Sequence, residues 1–226
     1  MLLTRLRAAP ALRSLHGHRL VSTLSKNPFI KVFPNATLDN RHILTYLDAQ
    51  PPSTDLAIGT STENPPTPQS FSENHKFLKI LYDVLAEHAA QDPLLQSQAQ
   101  AFAGPGGMTF GAGGGVFHQQ TSKRSSRGKH AADSGAGGAS AQGGAGGGGV
   151  GGYVHLSDLR NPPDFGRIAW PEDIMGSIEV DGHGQIVGKF EPSGTYRIVT
   201  NEGILGLSDF LRNKLIDRLR EEERKI

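Results

Sequence analysis

One run of residues could bind an anion outright: Lys123-Arg124-Ser125-Ser126-Arg127-Gly128-Lys129-His130. Lys123, Arg124, Arg127 and Lys129 place four fixed positive charges within seven residues, with serines and a glycine between them. On flexible backbone such a run can settle along a phosphate chain, releasing counterions as it does so. The same composition equally suits a solvated linker whose charges only keep it soluble. Both readings stand on spacing alone.

Acid–base or metal chemistry would have to come from elsewhere. The carboxyl-terminal third carries Asp173, Glu179, Asp181, His183 and Glu191, but His183 falls at a hairpin tip where solvent would screen it. No nucleophile, base and orienting group arrive together at a readable spacing. Asp181-Gly182-His183-Gly184 lacks the alternating carboxylates of a calcium loop. The other histidines (His16, His18, His42, His75, His88, His118, His130 and His155) follow no metal-ligand repeat. Gly144 to Gly149 matches G-x-G-x-x-G only because it lies in a polyglycine run, with no strand before it or helix after it. Gly128-Lys129 is followed by His130, so no phosphate-binding loop of the G-x-x-x-x-G-K-[ST] kind exists. Cysteine is absent, which excludes disulfides, thiolate metal sites and a cysteine nucleophile. The expectation is a non-enzyme with no cofactor, metal or small-molecule substrate.

The elements that must position these residues divide the chain into five segments. Residues 1–25 resemble a mitochondrial presequence: Arg5, Arg7, Arg13 and Arg19 are spaced along an acid-poor stretch in which Leu2, Leu3, Leu6 and Ala9 can share a helical face. Arg7 and Arg13 interrupt every candidate secretory h-region, and a disordered basic tail is the alternative. Cleavage is expected between Leu20 and Lys26. Taking four arginines from 23 basic residues, against 22 acidic ones, leaves a formal charge of −3. The mature chain is therefore not a polycation, and any nucleic-acid contact must be local. In the matrix, the sequon Asn35-Ala36-Thr37 would carry no glycan.

Residues 26–69 read as an extended, proline-rich segment with one short helix from Asp39 to Leu47, where Ile43, Leu44 and Leu47 share a side. Residues 70–103 read as a helical hairpin. Ser70 and Glu73 have the spacing of a capping box, followed by the apolar stripe Phe77, Ile80, Leu81, Val84, Leu85 and His88. Asp92-Pro93 then opens a second helix through Leu95 and Ala99 to about Phe102. Residues 104–152 hold 19 of the 29 glycines and read as a disordered tether carrying the basic run.

Residues 153–226 read as the folded unit. Tyr153 to Leu156 forms a short strand, and Ile174 to Asp181, Gln185 to Phe190 and Thr195 to Thr200 form a meander. Gly194 and Gly203 occupy turn positions that favour positive φ. Ser208 caps a last helix whose stripe is Phe210, Leu211, Leu215 and Leu219. The expected class is α+β: a small three-stranded antiparallel meander with a C-terminal amphipathic helix across it, preceded by short helices and long disordered segments. No window is long and apolar enough to span a bilayer.

The runs Pro171-Glu172-Asp173-Ile174-Met175-Gly176, Val180-Asp181-Gly182, and Gly194 through Leu205 (Gly-Thr-Tyr-Arg-Ile-Val-Thr-Asn-Glu-Gly-Ile-Leu) carry a resemblance. Over about Asp158 to Glu222 the chain resembles the mitochondrion-specific small-subunit protein forty-six family, supernumerary proteins of the fungal mitochondrial small ribosomal subunit. The resemblance implies a structural ribosomal component in the matrix, partnered by small-subunit proteins and rRNA and not by DNA, with no catalytic site or cofactor. Lys123, Arg124, Arg127 and Lys129 would then be the rRNA contacts. The near-neutral mature charge favours a peripheral place with many protein contacts. A non-catalytic subunit or assembly factor of a respiratory-chain complex would show much the same sequence features, as would an enzyme regulator.

Overall fold

A computed structural model describes residues 21–35, 41–103, 151–164 and 167–226. The fold is α+β, and it begins with a sheet that the sequence reading did not anticipate. Strands β1 (Ser22–Thr23), β2 (Lys31–Asn35), β3 (Arg41–Thr45), β4 (Gly59–Ser61) and β5 (Phe71–Glu73) pair antiparallel in chain order. The helix expected from Asp39 to Leu47 is therefore corrected to strand β3 over its described part. Ile43 and Leu44 are both buried, on opposite faces of that strand. Ile43 clusters with Phe33 and Ala57, whereas Leu44 joins Val32 and Ile58 in the main core. A strand covered on both faces shows no apolar–polar alternation, and its apolar run can mimic helical spacing.

Helix α1 spans His75–His88 and starts later than the proposed capping box. Its N-cap is Asn74, whose Oδ1 accepts from the Lys76 backbone N–H at 3.0 Å. The amide nitrogen of the same side chain faces the carbonyls of Thr54, Asp55 and Ala57 at 2.8–3.1 Å, tying the helix start to the loop before β4. Ser70 instead closes the preceding turn, accepting from the Thr67 N–H at 2.8 Å. Phe77, Leu81, Val84 and Leu85 are buried, as the stripe required. Helix α2 (Pro93–Ala103) follows a single 3₁₀ turn and opens as expected, with Asp92 buried at its start and Pro93 in its first turn.

The carboxyl-terminal sheet has three strands, but not the three expected. Its order is β6 (Gly152–Ser157), β7 (Ile174–Val180) and β8 (Glu191–Pro192), all antiparallel. Gln185 to Phe190 does not form a strand: only Ile186 bridges Val180, while the Val187 and Gly188 N–H groups both converge on the Glu179 carbonyl. Of Thr195 to Thr200, only Val199–Thr200 (β9) is extended in a ladder, and it pairs with Gly203–Ile204 (β10). Among the described glycines only Gly184 (φ 77°) and Gly203 (φ 146°) take positive φ. Gly194 does not, so that expectation fails there.

Helix α3 (Asp209–Glu223) is capped by Ser208, whose Oγ accepts from the Leu211 N–H at 3.2 Å. It packs against α1 rather than lying across a meander, burying Leu211, Leu215 and Leu219. Phe210 is only half-buried, edge-on to His88. One apolar core runs from Leu24 through α1 and α2 to Leu219, so the carboxyl-terminal segment shares its interior with the amino-terminal sheet. Among the described residues no helix is long and apolar enough to cross a membrane.

Candidate functional site

The polar centre of the molecule sits where β6 ends. Asp158 and Asp173 are 0% and 1% exposed, and the Arg160 side chain between them is 3% exposed. Arg160 Nε donates to Asp173 Oδ1 at 2.8 Å, and Nη1 donates to the Ile198 carbonyl at 2.6 Å. Nη2 donates to the carbonyls of Arg197 (2.7 Å) and Glu172 (3.0 Å). Asp158 Oδ1 accepts from the N–H groups of Arg160 and Gly206, both at 2.8 Å, and its Oδ2 accepts from the Tyr196 hydroxyl at 2.8 Å. The guanidinium also lies 5.5 Å from the Tyr196 ring centre.

This arrangement joins four pieces of chain: the end of β6, the turn before β7, the approach to β9 and the segment after β10. The planar fork of arginine lets one side chain reach three carbonyls, two of which, those of Ile198 and Glu172, also accept from the Leu205 and Arg197 N–H groups. Burial pushes the Asp158 carboxyl up to about 6, while the Arg160 guanidinium and the Arg160, Tyr196 and Gly206 donors pull it back. Burial, reinforced by the neighbouring Asp158 carboxylate, holds the Tyr196 hydroxyl well above its usual range. The polar groups of this clamp are directed at one another, so it acts as a rivet.

Asp173 was singled out in the sequence and belongs to that clamp. The others do not gather. Asp181 Oδ1 accepts from the Gln185 and His183 N–H groups at 2.8 Å, which holds its carboxyl below the ordinary range; His183 itself is exposed. Glu179 and Glu191 are exposed on β7 and β8. Among the described residues no three His, Asp or Glu side chains form a metal-binding group. Lys123, Arg124, Arg127 and Lys129 lie outside the described residues, as does most of the segment read as a presequence.

Sequence reasoning missed one pair that could do chemistry. His155 on β6 and Ser177 on β7 are direct cross-strand partners, with His155 Nδ1 2.8 Å from Ser177 Oγ. Burial lowers the His155 pKa and favours the neutral ring. A nucleophile–base dyad also needs an orienting group on the second ring nitrogen and donors for a developing oxyanion. The described geometry supplies neither, and the pair reads as a cross-strand hydrogen bond. Pairing register could have revealed it, had the strand partners been known.

A cleft of about 290 Å³ opens beside the clamp, between Lys26, Asn27, Leu159, Glu202 and Gly206. Two of its polar side chains are engaged: Lys26 Nζ donates to the Glu202 carbonyl at 2.8 Å and Asn27 Nδ2 to the Leu205 carbonyl at 2.7 Å. No protein-family model, curated protein or solved structure matches this chain.

Proposed function

We propose that the protein is a structural component of the mitochondrial small ribosomal subunit, supporting translation of mitochondrially encoded proteins through protein and rRNA contacts in the matrix. One observation carries the reading. Five residues of the runs that carry the family resemblance take part in the Asp158–Arg160 clamp, Asp173 and Tyr196 with their side chains and Glu172, Arg197 and Ile198 with their backbone carbonyls. Residues of the resemblance that hold the fold rather than gather at a site suit a protein whose work is to occupy a place in an assembly. Exposed Trp170, Ile168 and Val187 offer the scattered apolar area that protein neighbours use. In this reading Lys123, Arg124, Arg127 and Lys129 lie along rRNA phosphate.

The test is sedimentation of the tagged chain from lysed fungal mitochondria on sucrose gradients, with and without magnesium. Co-migration with the small subunit, lost when magnesium is removed, is the expected result. Co-migration with detergent-solubilised membrane complexes instead would favour a respiratory-chain assembly role. Neutralising the four cations should weaken subunit association more steeply as salt rises; full co-migration of that variant at the higher salt would remove the rRNA assignment.

A further inference from the structure

We infer that the free edge of β6 receives an extended, cationic segment of a partner protein as an added strand. The geometry of one sheet carries this, independently of the ribosomal reading. Sheet edges expose unpaired N–H and C=O groups, and proteins keep them short or guard them with lysine, proline or a bulge. Among the described residues β1, β5, β8, β9 and β10, each at the edge of a sheet, run for only two or three residues, and β8 also carries Pro192. Strand β6 runs for six residues and pairs with β7 on one side only. It holds no lysine, arginine or proline, and its register shifts only after Leu156.

The pairing register shows which groups that edge presents. The Met175 carbonyl accepts from the Ser193 N–H at 2.9 Å and the Glu179 carbonyl from Val187 and Gly188, so these carbonyls of β7 point away from β6. Ile178 and Val180 turn their backbone groups toward β6, where Val154 and Gly152 are their partners. Tyr153 and His155 therefore direct their own N–H and C=O groups outward. None of these groups has a backbone partner among the described residues. The Phe102 ring lies over Gly152 on the face that buries Val154 and Leu156, so helix α2 backs the strand rather than its edge.

Charge selects the occupant. Cross-strand partners share a face, and on the outer one Tyr153 faces Glu179, His155 faces Ser177, and Ser177 faces Glu191. Both glutamates are exposed, as is Tyr153 at 38%. The three strands carry no lysine or arginine; Lys189 precedes β8, the strand farthest from this edge. A second copy docked edge to edge would set two acidic faces side by side, whereas an arginine opposite Tyr153 meets its ring and approaches Glu179. Glu179 stands two strand spacings, about 10 Å, from the incoming backbone, a gap that a long cationic side chain and the carboxylate span together. The alternate side chains of the incoming strand fall beside Val154 and Leu156, where aliphatic groups extend the buried layer. The partner segment thus alternates cationic and aliphatic residues.

The test titrates the full chain into a fluorescein-labelled, end-blocked peptide of about eight residues alternating arginine and valine, read by fluorescence anisotropy. Saturable binding is expected, and a glutamate–valine peptide should bind about tenfold more weakly. Glu179→Gln should weaken the arginine peptide about threefold. Tyr153→Pro removes an outward N–H but none of the β7 ladder, and should weaken it about tenfold. Two further peptides are N-methylated, one on every arginine and the other on every valine. An added strand turns only one of its edges to β6, so one of these should bind and the other should not. Equal affinities for the two would mark mere charge attraction and overturn the proposal, as would the absence of saturable binding. In the free chain the Tyr153 and His155 amides should exchange freely with solvent deuterium, and saturating peptide should slow them about tenfold. Protection of these amides before peptide is added would give the edge to the chain itself. A concentration-dependent dimer broken by Tyr153→Pro would give it to a second copy, and either result overturns the proposal.

Discussion

Arg160 shows what a single side chain contributes when the chain has no regular ladder to close its ends. It meets Asp173, the Ile198, Arg197 and Glu172 carbonyls, and the Asp158 carboxylate at 3.5 Å. Arg160→Met leaves two buried carboxylates without their cation, and urea denaturation of the full chain should register a loss of about 3–5 kcal/mol. Arg160→Lys keeps the charge but not the fork and should recover only part of that loss. His155 gives a pH signature at the same scale. Its folded-state pKa lies below the ordinary 6.5, so the unfolded chain takes up the proton first as pH falls. The stability it contributes is therefore whole above about pH 6.5 and declines on acidification from there down to the folded-state value. Wild type should lose more melting temperature between pH 7.5 and 5.5 than His155→Gln; parallel losses would remove His155 as the source.

At the scale of elements, the α1–α3 seam is the place where one change should do the most damage. Leu215 is 0% exposed among the apolar residues of that contact. Leu215→Asp puts a carboxylate there with no partner and should abolish cooperative melting of the full chain, while Asn213→Ala, on the exposed side of the same helix, should leave it nearly unchanged. Helices α1, α2 and α3 were legible because periodicity is local, and α2 and α3 also because their caps are, whereas α1 is capped by Asn74 and not by the expected Ser70. Strands were legible where one face meets water, as in β7, with Ile178 and Val180 buried and Glu179 exposed. They were not legible where long-range partners decide. Glu73 looked like a capping residue, yet its carboxylate accepts from the Ile198 N–H at 3.3 Å, a partner 125 residues away. Thr195 to Thr200 has strand composition, but Arg160 takes the Arg197 carbonyl and shares the Ile198 carbonyl with the Leu205 N–H, and the ladder stops there. The clamp itself was only partly visible: Asp173 drew notice as a carboxylate, while nothing near Asp158 or Arg160 in sequence announces their partners.

At the scale of the whole molecule, residues 104–150 connect two places that touch. The Phe102 ring lies against Gly152, where an added Cβ would come within 2.7 Å of it. Replacing residues 104–150 by a flexible link of about eight residues should leave the melting temperature unchanged or raise it by about 3–6 °C, since the shorter loop costs about 1.5 kcal/mol less to close. A collapse of the melting transition would show that the excised residues belong to the core. The fastening of Lys26 and Asn27 to Glu202 and Leu205 has a different consequence, one of timing. Those contacts span 176 and 178 positions, so although β1 pairs locally with β2, the residues that follow it gain these partners only when the segment after β9 is in place. A polypeptide made from its amino terminus must wait through nearly its whole length before Lys26 and Asn27 find these partners. Throughout that wait the apolar residues they help to cover stay open to aggregation, and the arrival of the carboxyl-terminal segment decides when the two ends lock together.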